Sequence, residues 1–293
     1  MLADSFLGKW IGRRAVPDPA VAEARAEVER IIAERPSLSG PALWLRDTLV
    51  QLAIPESVST PALSPELALE KLVAGIPLLR GETVVVDAQA FHRRWRRACA
   101  ALSRDQEDRA GQLVRAAERG QLDPQHLVSC ILAGRPEQLH EQSVELGLDP
   151  SLAATLVRLT LFPVFVALKQ ECSRLYQIDS WQRGYCPICG SWPILGEFRG
   201  LDQLRYLRCG LCAAAWTVPR LFCPFCETRD YRQLNSFHRA GEECQRRVSC
   251  CSACHRYLKM LVTLNELPPL RLLVADLSTL DLDLAAADRG FCQ

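Results

Sequence analysis

At 293 residues and 48% hydrophobic content, the chain is long enough for two or three domains and can bury a substantial core. Its 35 basic and 34 acidic residues leave a formal charge of +1, which excludes recruitment of nucleic acid or an anionic membrane by a global field. Residues Met1 to Arg14 lack an uninterrupted apolar stretch, and Arg13-Arg14 runs into Ala15-Val16-Pro17-Asp18, so the expected location is the cytoplasm.

From about Pro17 to Gln177, apolar residues recur at three- and four-residue spacing, as amphipathic helices require. Asp18-Pro19, Ser64-Pro65, Asp123-Pro124 and Asp149-Pro150 each set a capping oxygen before a first-turn proline, whose missing N–H costs nothing there; Asp87 is a further cap. The pattern predicts roughly seven helices in an antiparallel bundle with short loops, including Val21–Ala33, Pro65–Val73, Ala88–Leu102, Arg104–Arg119 and Ser151–Tyr176. The most apolar run, Leu152 to Leu168, carries Arg158 and Pro163 and falls short of the ~20 residues that span a bilayer, so it reads as a buried core helix without membrane insertion. Val84-Val85-Val86 is too short to argue for a sheet, and no dinucleotide, P-loop or nucleophile-elbow pattern interrupts the helices. The basic run His92–Arg97, with Trp95 inside it, reads as a solvated helix face.

Near Ile178 the texture shifts to short segments punctuated by Gly, Pro and CxxC. The expected division is a helical domain over 1–178, metal modules over 179–219 and 220–265, and a tail over 266–293 that packs back on the body. Within the tail, Leu270–Ala275 reads as an apolar strand, and Asp276–Asp283 leads into a final helix. The expected fold class is multidomain α+β: an N-terminal all-α bundle, two small rubredoxin-like or zinc-ribbon β modules and a C-terminal helix.

Of the 14 cysteines, ten lie between Cys186 and Cys254, eight of them as CxxC pairs. Disulfide frameworks belong to small secreted chains, so metal ligation is the better reading, and a thioredoxin-like context for dithiol chemistry is absent. One CxxC turn supplies two thiolates, half a tetrahedron, with backbone N–H groups turned toward the sulfurs. Consecutive pairing gives two closed sites, Cys186/Cys189/Cys209/Cys212 and Cys223/Cys226/Cys251/Cys254, with 19 and 24 residues between knuckles; a cross-braced pairing is also compatible with the spacing. In Cys186-Pro187-Ile188-Cys189-Gly190, proline fixes the turn, and Gly190 takes positive φ with its N–H toward sulfur. Cys244, Cys250 and His255 flank the fourth knuckle as supporting groups, and Cys99, Cys130, Cys172 and Cys292 read as small buried hydrophobes. The repeated pairs resemble an internal duplication. Four soft thiolates accept iron or zinc alike.

Trp181 to Met260 holds twelve basic and six acidic residues, a formal +6 that leaves −5 elsewhere. Two divalent ions on four thiolates each bring about −2 apiece, so the arginines largely neutralise the metal sites. With near-zero net charge, that weighs against a zinc-ribbon nucleic-acid binder. No convergent acid, base and nucleophile set marks an enzyme, and a rubredoxin-like electron carrier is the other alternative.

The non-cysteine residues around the knuckles carry more. Cys186-Pro187-Ile188-Cys189-Gly190-Ser191 with Pro193, Arg205-Tyr206-Leu207-Arg208-Cys209 through Trp216, Arg220, Tyr257-Leu258-Lys259, Ala275-Asp276-Leu277 and Leu282-Asp283 together resemble the formate dehydrogenase accessory protein family, FdhE. The resemblance covers most of the chain and is most specific from Trp181 onward. It implies a cytoplasmic, non-catalytic assembly factor that binds the catalytic subunit of respiratory formate dehydrogenase before export. It also implies two mononuclear tetra-cysteine metal ions per chain, with iron favoured over zinc. Arg205 and Arg220 are expected at the rim of the recognition surface.

Overall fold

The computed structural model describes residues 18–292 apart from 55, 57, 60, 62, 103–106, 179, 240, 243 and 244; the N-terminal segment Met1–Arg14 and Cys244 lie outside the described residues. The expected caps set the helix starts. Asp18, Ser64, Asp87, Asp123 and Asp149 each accept hydrogen bonds from first-turn amides, opening α1 (Pro19–Glu34), α3 (Pro65–Val73), α4 (Ala88–Ala100), α6 (Pro124–Ala133) and α8 (Pro150–Leu175). Between them run α2 (Ser39–Leu52), α5 (Glu107–Glu118) and α7 (Pro136–Glu145). Gly134 closes α6 in the left-handed conformation at φ 70°.

Helix α8 is the axis of the bundle. On length and composition alone it could cross a membrane, yet twelve of its residues, from Ala153 to Cys172, are buried within the fold. Around it, the basic run of α4 divides: Arg93, Arg96 and Arg97 are exposed, whereas Trp95 and Arg94 are buried. Arg94 donates Nε to the Thr160 carbonyl at 2.9 Å and pairs with Glu56. Reading all of that run as solvated was therefore wrong at two positions, both turned inward by the helical period.

The cysteine half forms one six-stranded sheet in the order β3-β2-β1-β6-β5-β4. Its strands are β1 (Pro193–Arg199), β2 (Leu204–Cys209), β3 (Ala215–Thr217), β4 (Leu234–Phe237), β5 (Arg246–Cys251) and β6 (Arg256–Thr263). Each module is an antiparallel meander, and the two join where β1 runs parallel to β6, Leu195 opposite Lys259 through Arg199 opposite Thr263. The first strand of one meander meets the last strand of the other, so the modules are related side by side, and the sheet is continuous across them.

Packing also continues across Ile178. One hydrophobic cluster unites Leu78, Trp95 and Phe165 of the helical half with Trp181, Ile188, Leu207 and Trp216. The amides of Leu78 and Leu79 donate to the carbonyls of Pro187 and Ile188 at 2.8 and 2.9 Å, and Tyr185 donates its hydroxyl to the Gly75 carbonyl at 2.7 Å.

The tail corrects the strand expected at Leu270–Ala275. That segment lies inside α9 (Pro269–Ser278), followed by α10 (Leu280–Ala287). Leu270, Leu272, Leu273, Val274, Ala275 and Leu277 are all buried, because α9 is enclosed by α1, α2 and the sheet; with apolar residues at five of the six positions from Leu270 to Ala275, the short segment shows too little of the helical period to be told from a strand. Buried charge anchors it: Lys259 on β6 reaches Asp276 and Asp283, both at 2.7 Å, and Tyr257 donates its hydroxyl to Asp283 at 2.7 Å. These are four of the residues that carried the family resemblance, and their shared task is to bind the tail to the sheet.

Candidate metal centres

The four knuckles share one local construction. The residue after the second cysteine, namely Gly190, Ala213, Glu227 and His255, takes φ of 79°, 58°, 60° and 56°. Each turns its amide back to the carbonyl of the knuckle's first cysteine, at 2.9 to 3.1 Å. The Gly190 N–H thus reaches the Cys186 carbonyl rather than a sulfur. In the second knuckle the sulfur-directed amides come from inside the turn, as Leu211 and Cys212 donate to Cys209 Sγ at 3.4 and 3.5 Å. Only one of the four positions is glycine. Three non-glycine residues held in this sparsely populated region are a cost the surrounding hydrogen bonds must offset.

Because each module runs knuckle, strand, strand, knuckle, strand, its hairpin returns the second knuckle to the first. The structure accordingly gathers Cys186, Cys189, Cys209 and Cys212 in one group and Cys223, Cys226, Cys251 and Cys254 in another, the sulfurs of each within 4.8 Å of one another. Within the first group Cys186–Cys212 and Cys189–Cys209 are 3.5 Å apart and Cys189–Cys212 3.8 Å; within the second, Cys223–Cys254 and Cys226–Cys251 are 3.7 Å apart. A tetrahedral ion with bonds of ~2.3 Å to sulfur needs edges of about 3.8 Å. Both groups therefore have the donor set and the spacing of a mononuclear four-sulfur site, and could hold two ions. Every described cysteine is free of disulfide.

Burial pushes the Cys186 and Cys212 thiols well above their ordinary value. At Cys189 burial acts in the same upward direction, but hydrogen bonds from Cys186, Cys209, Cys212 and Ser191 outweigh it and hold the sulfur well below that value. A cation that binds the group must displace the protons that the raised thiols of Cys186 and Cys212 hold. In the second group burial raises Cys223 and Cys254, while the hydrogen bonds around Cys226 lower it against burial.

The supporting groups fall out differently from expectation. Cys250 is buried among Val248, Tyr257, Leu282 and Ala286, because strand pleating turns it away from its neighbour Cys251. His255 sets its ring 6.2 Å from that of Phe291. Cys99, Cys130 and Cys172 are buried, as small apolar residues, but Cys292 is exposed; its backbone exchanges hydrogen bonds with His255 and Tyr257 and clamps the chain end to β6.

Two arginines beside the sites that carry part of the family resemblance turn inward, which the sequence does not show. Arg208, immediately before Cys209, is fully buried, pairs with the equally buried Glu197 and donates to the Leu267 carbonyl at 2.7 Å. Arg205, expected at a rim, is 4% exposed and donates Nη1 to the carbonyls of Pro219, Arg220 and Phe222, pinning the link between the modules. Arg220 alone of the expected rim pair is exposed. The segment ahead of the first knuckle is also pressed against the third, since a Cβ on Gly184 would stand 1.6 Å from the Pro224 carbonyl oxygen.

Residues 185–220 match the family model described as the FdhE central domain and residues 221–293 the FdhE C-terminal domain; the two meet in the link that Arg205 holds. A curated FdhE homolog from Stutzerimonas stutzeri is 42% identical over 109 residues, 36% of this chain and 35% of its own. The homolog from Haemophilus ducreyi is 32% identical over 156 residues, 52% and 49% of the two chains, and FdhE of Escherichia coli is 36% identical over 114 residues, 38% and 36%. The aligned parts thus span about a third to a half of those relatives' lengths. The crystal structure of the FdhE protein from Pseudomonas aeruginosa shares the fold, with a TM-score of 0.60 at 22% identity over 93% of this chain and 92% of that one.

Proposed function

Since the chain belongs to the FdhE family through residues 185–293, we propose that it is an assembly factor required for active respiratory formate dehydrogenase. It acts in the cytoplasm on the catalytic subunit before export and does not itself oxidise formate. The observation that carries this reading is that both cysteine groups are closed four-sulfur sets. An ion bound by four protein ligands has no open position for substrate. The eight cysteines would hold two mononuclear ions, iron by family resemblance, with zinc the alternative.

The metal's part in recognition is to hold the knuckles and the exposed rim, including Arg220, in one shape. The test is co-purification of the tagged chain with the catalytic subunit, set beside metal content. Association is expected in the wild type, weakened in Arg220→Glu with both ions retained, because a rim charge steers binding without touching the sites. Deleting the gene should abolish respiratory formate dehydrogenase activity while the enzyme's polypeptide persists. Failure of the wild-type chain to associate, or formate turnover by the isolated chain, would sink the proposal. A red protein after anaerobic purification and reoxidation would mark ferric thiolate.

A further inference from the structure

Beside the second cysteine group, between the inter-module link and the face of the sheet, lies a cavity of about 250 Å³. Four guanidinium side chains line it, Arg205, Arg220, Arg247 and Arg256, and no described lining residue is acidic. Their partners are neutral. Arg205 bonds to three carbonyls of the link, and Arg220 donates Nη2 to the carbonyls of Asp202 and Gln203 at 3.1 and 2.9 Å. Arg247 holds its Cζ 4.8 Å from the centre of the Phe198 ring, and Arg256 holds its own 5.1 Å from that of Phe225. The Nε atoms of Arg205 and Arg247 are buried without any hydrogen-bond partner.

For Arg205, Arg247 and Arg256, which are buried or half-buried, such an arrangement is costly as it stands, whereas Arg220 is exposed. Elsewhere in the described chain buried cations meet carboxylates, as Arg208 meets Glu197 and Lys259 meets Asp276 and Asp283. A partly buried cation without a counter-charge loses hydration and gains little in return. The ring faces hold the guanidinium planes in place by cation–π attraction, which fixes their forks before any ligand arrives. An ion in the adjacent four-sulfur site would carry the set to about −2, and Cys223 and Cys251 do touch the cavity. Four guanidiniums exceed that by two positive charges.

We propose that this cavity is a binding site for a phosphate-class oxyanion, as free phosphate or as the head of a phosphate ester. A dianion matches the surplus charge, and its oxygens suit the paired N–H donors of guanidinium forks. The cavity's size confines the bound part to the anion and a small apolar neighbour, for which Leu221 and Leu258 supply a wall.

The experiment is calorimetric titration of the metal-loaded full chain with inorganic phosphate and, separately, phenyl phosphate, at ionic strength matched with chloride. One saturable site is expected. Arg247→Gln and Arg256→Gln should each weaken it about tenfold, the effect of losing one charge-assisted hydrogen bond, whereas Arg232→Gln, outside the cavity, should leave it unchanged. Metal content is measured on every variant, and Arg247→Lys, which keeps the charge and loses the fork, serves should the glutamine variant lose metal; it too should bind more weakly. Tighter binding of phenyl phosphate identifies an ester as the ligand, and equal binding identifies the free ion. Absence of saturable binding, equal affinity in the cavity variants, or loss of binding in chloride alone would overturn the proposal.

Discussion

The two cysteine groups are built from the same turn, yet they occupy different surroundings. All four cysteines of the first are buried, inside the cluster that also contains Trp95 and Phe165 of the helical half. In the second, Cys226 is exposed and Cys254 half-buried, and the nearest small core holds Val248, Cys250, Tyr257, Leu282 and Ala286. Identical donor sets therefore have unequal surroundings: the first group is part of the main core, and the second lies near the surface.

The sharpest way to break that contrast is to remove one centre at a time. Replacing both Cys186 and Cys189 by serine should forfeit binding free energy on the order of 10 kcal/mol and unfold the helical half with the sheet. Circular dichroism on heating would read this as loss of the cooperative transition; a native-like melt of the helices would contradict the contrast. Next in size is Glu197→Gln, which leaves fully buried Arg208 beside Cys209 with only the exposed Glu266, 3.5 Å away, as a counter-charge. A cost of about 3–5 kcal/mol is expected from denaturant titration.

The corresponding double change at Cys223 and Cys226 should release one ion and raise hydrogen exchange near that centre, while the main transition shifts by only about 2 kcal/mol. A chelator, or acid, should likewise empty the second centre first. Ligand thiolates are lost to protons as pH falls, so affinity falls with it, and Cys226 is open to solvent. Metal released in two resolved steps supports the contrast; simultaneous release opposes it. The smallest effect expected is that of Tyr257→Phe, about 1 kcal/mol, because Asp283 keeps its ion pair with Lys259 when the tyrosine bond is lost.

What the amino-acid order determined by itself is whatever closes within a few residues. Asp or Ser before proline sets helix starts, since cap and amide are two or three positions apart, and CxxC sets the knuckles, since both sulfurs belong to one turn. The assignment of Cys250 to a strand face and of Leu270–Ala275 to a helix needed neighbours far along the chain. A six-residue run that is apolar at every position but Arg271 is compatible with strand or helix until α1, α2 and the sheet enclose it. Likewise the basic count around the knuckles did not say which arginines were spoken for. Only tertiary structure decided that Arg208 meets Glu197, that Arg205 turns inward to the link, and that Arg247 and Arg256 face a cavity without a carboxylate. The joining of two ribbons through β1 and β6 was equally invisible, because parallel pairing between strands some sixty residues apart is set by packing, and no local pattern encodes it.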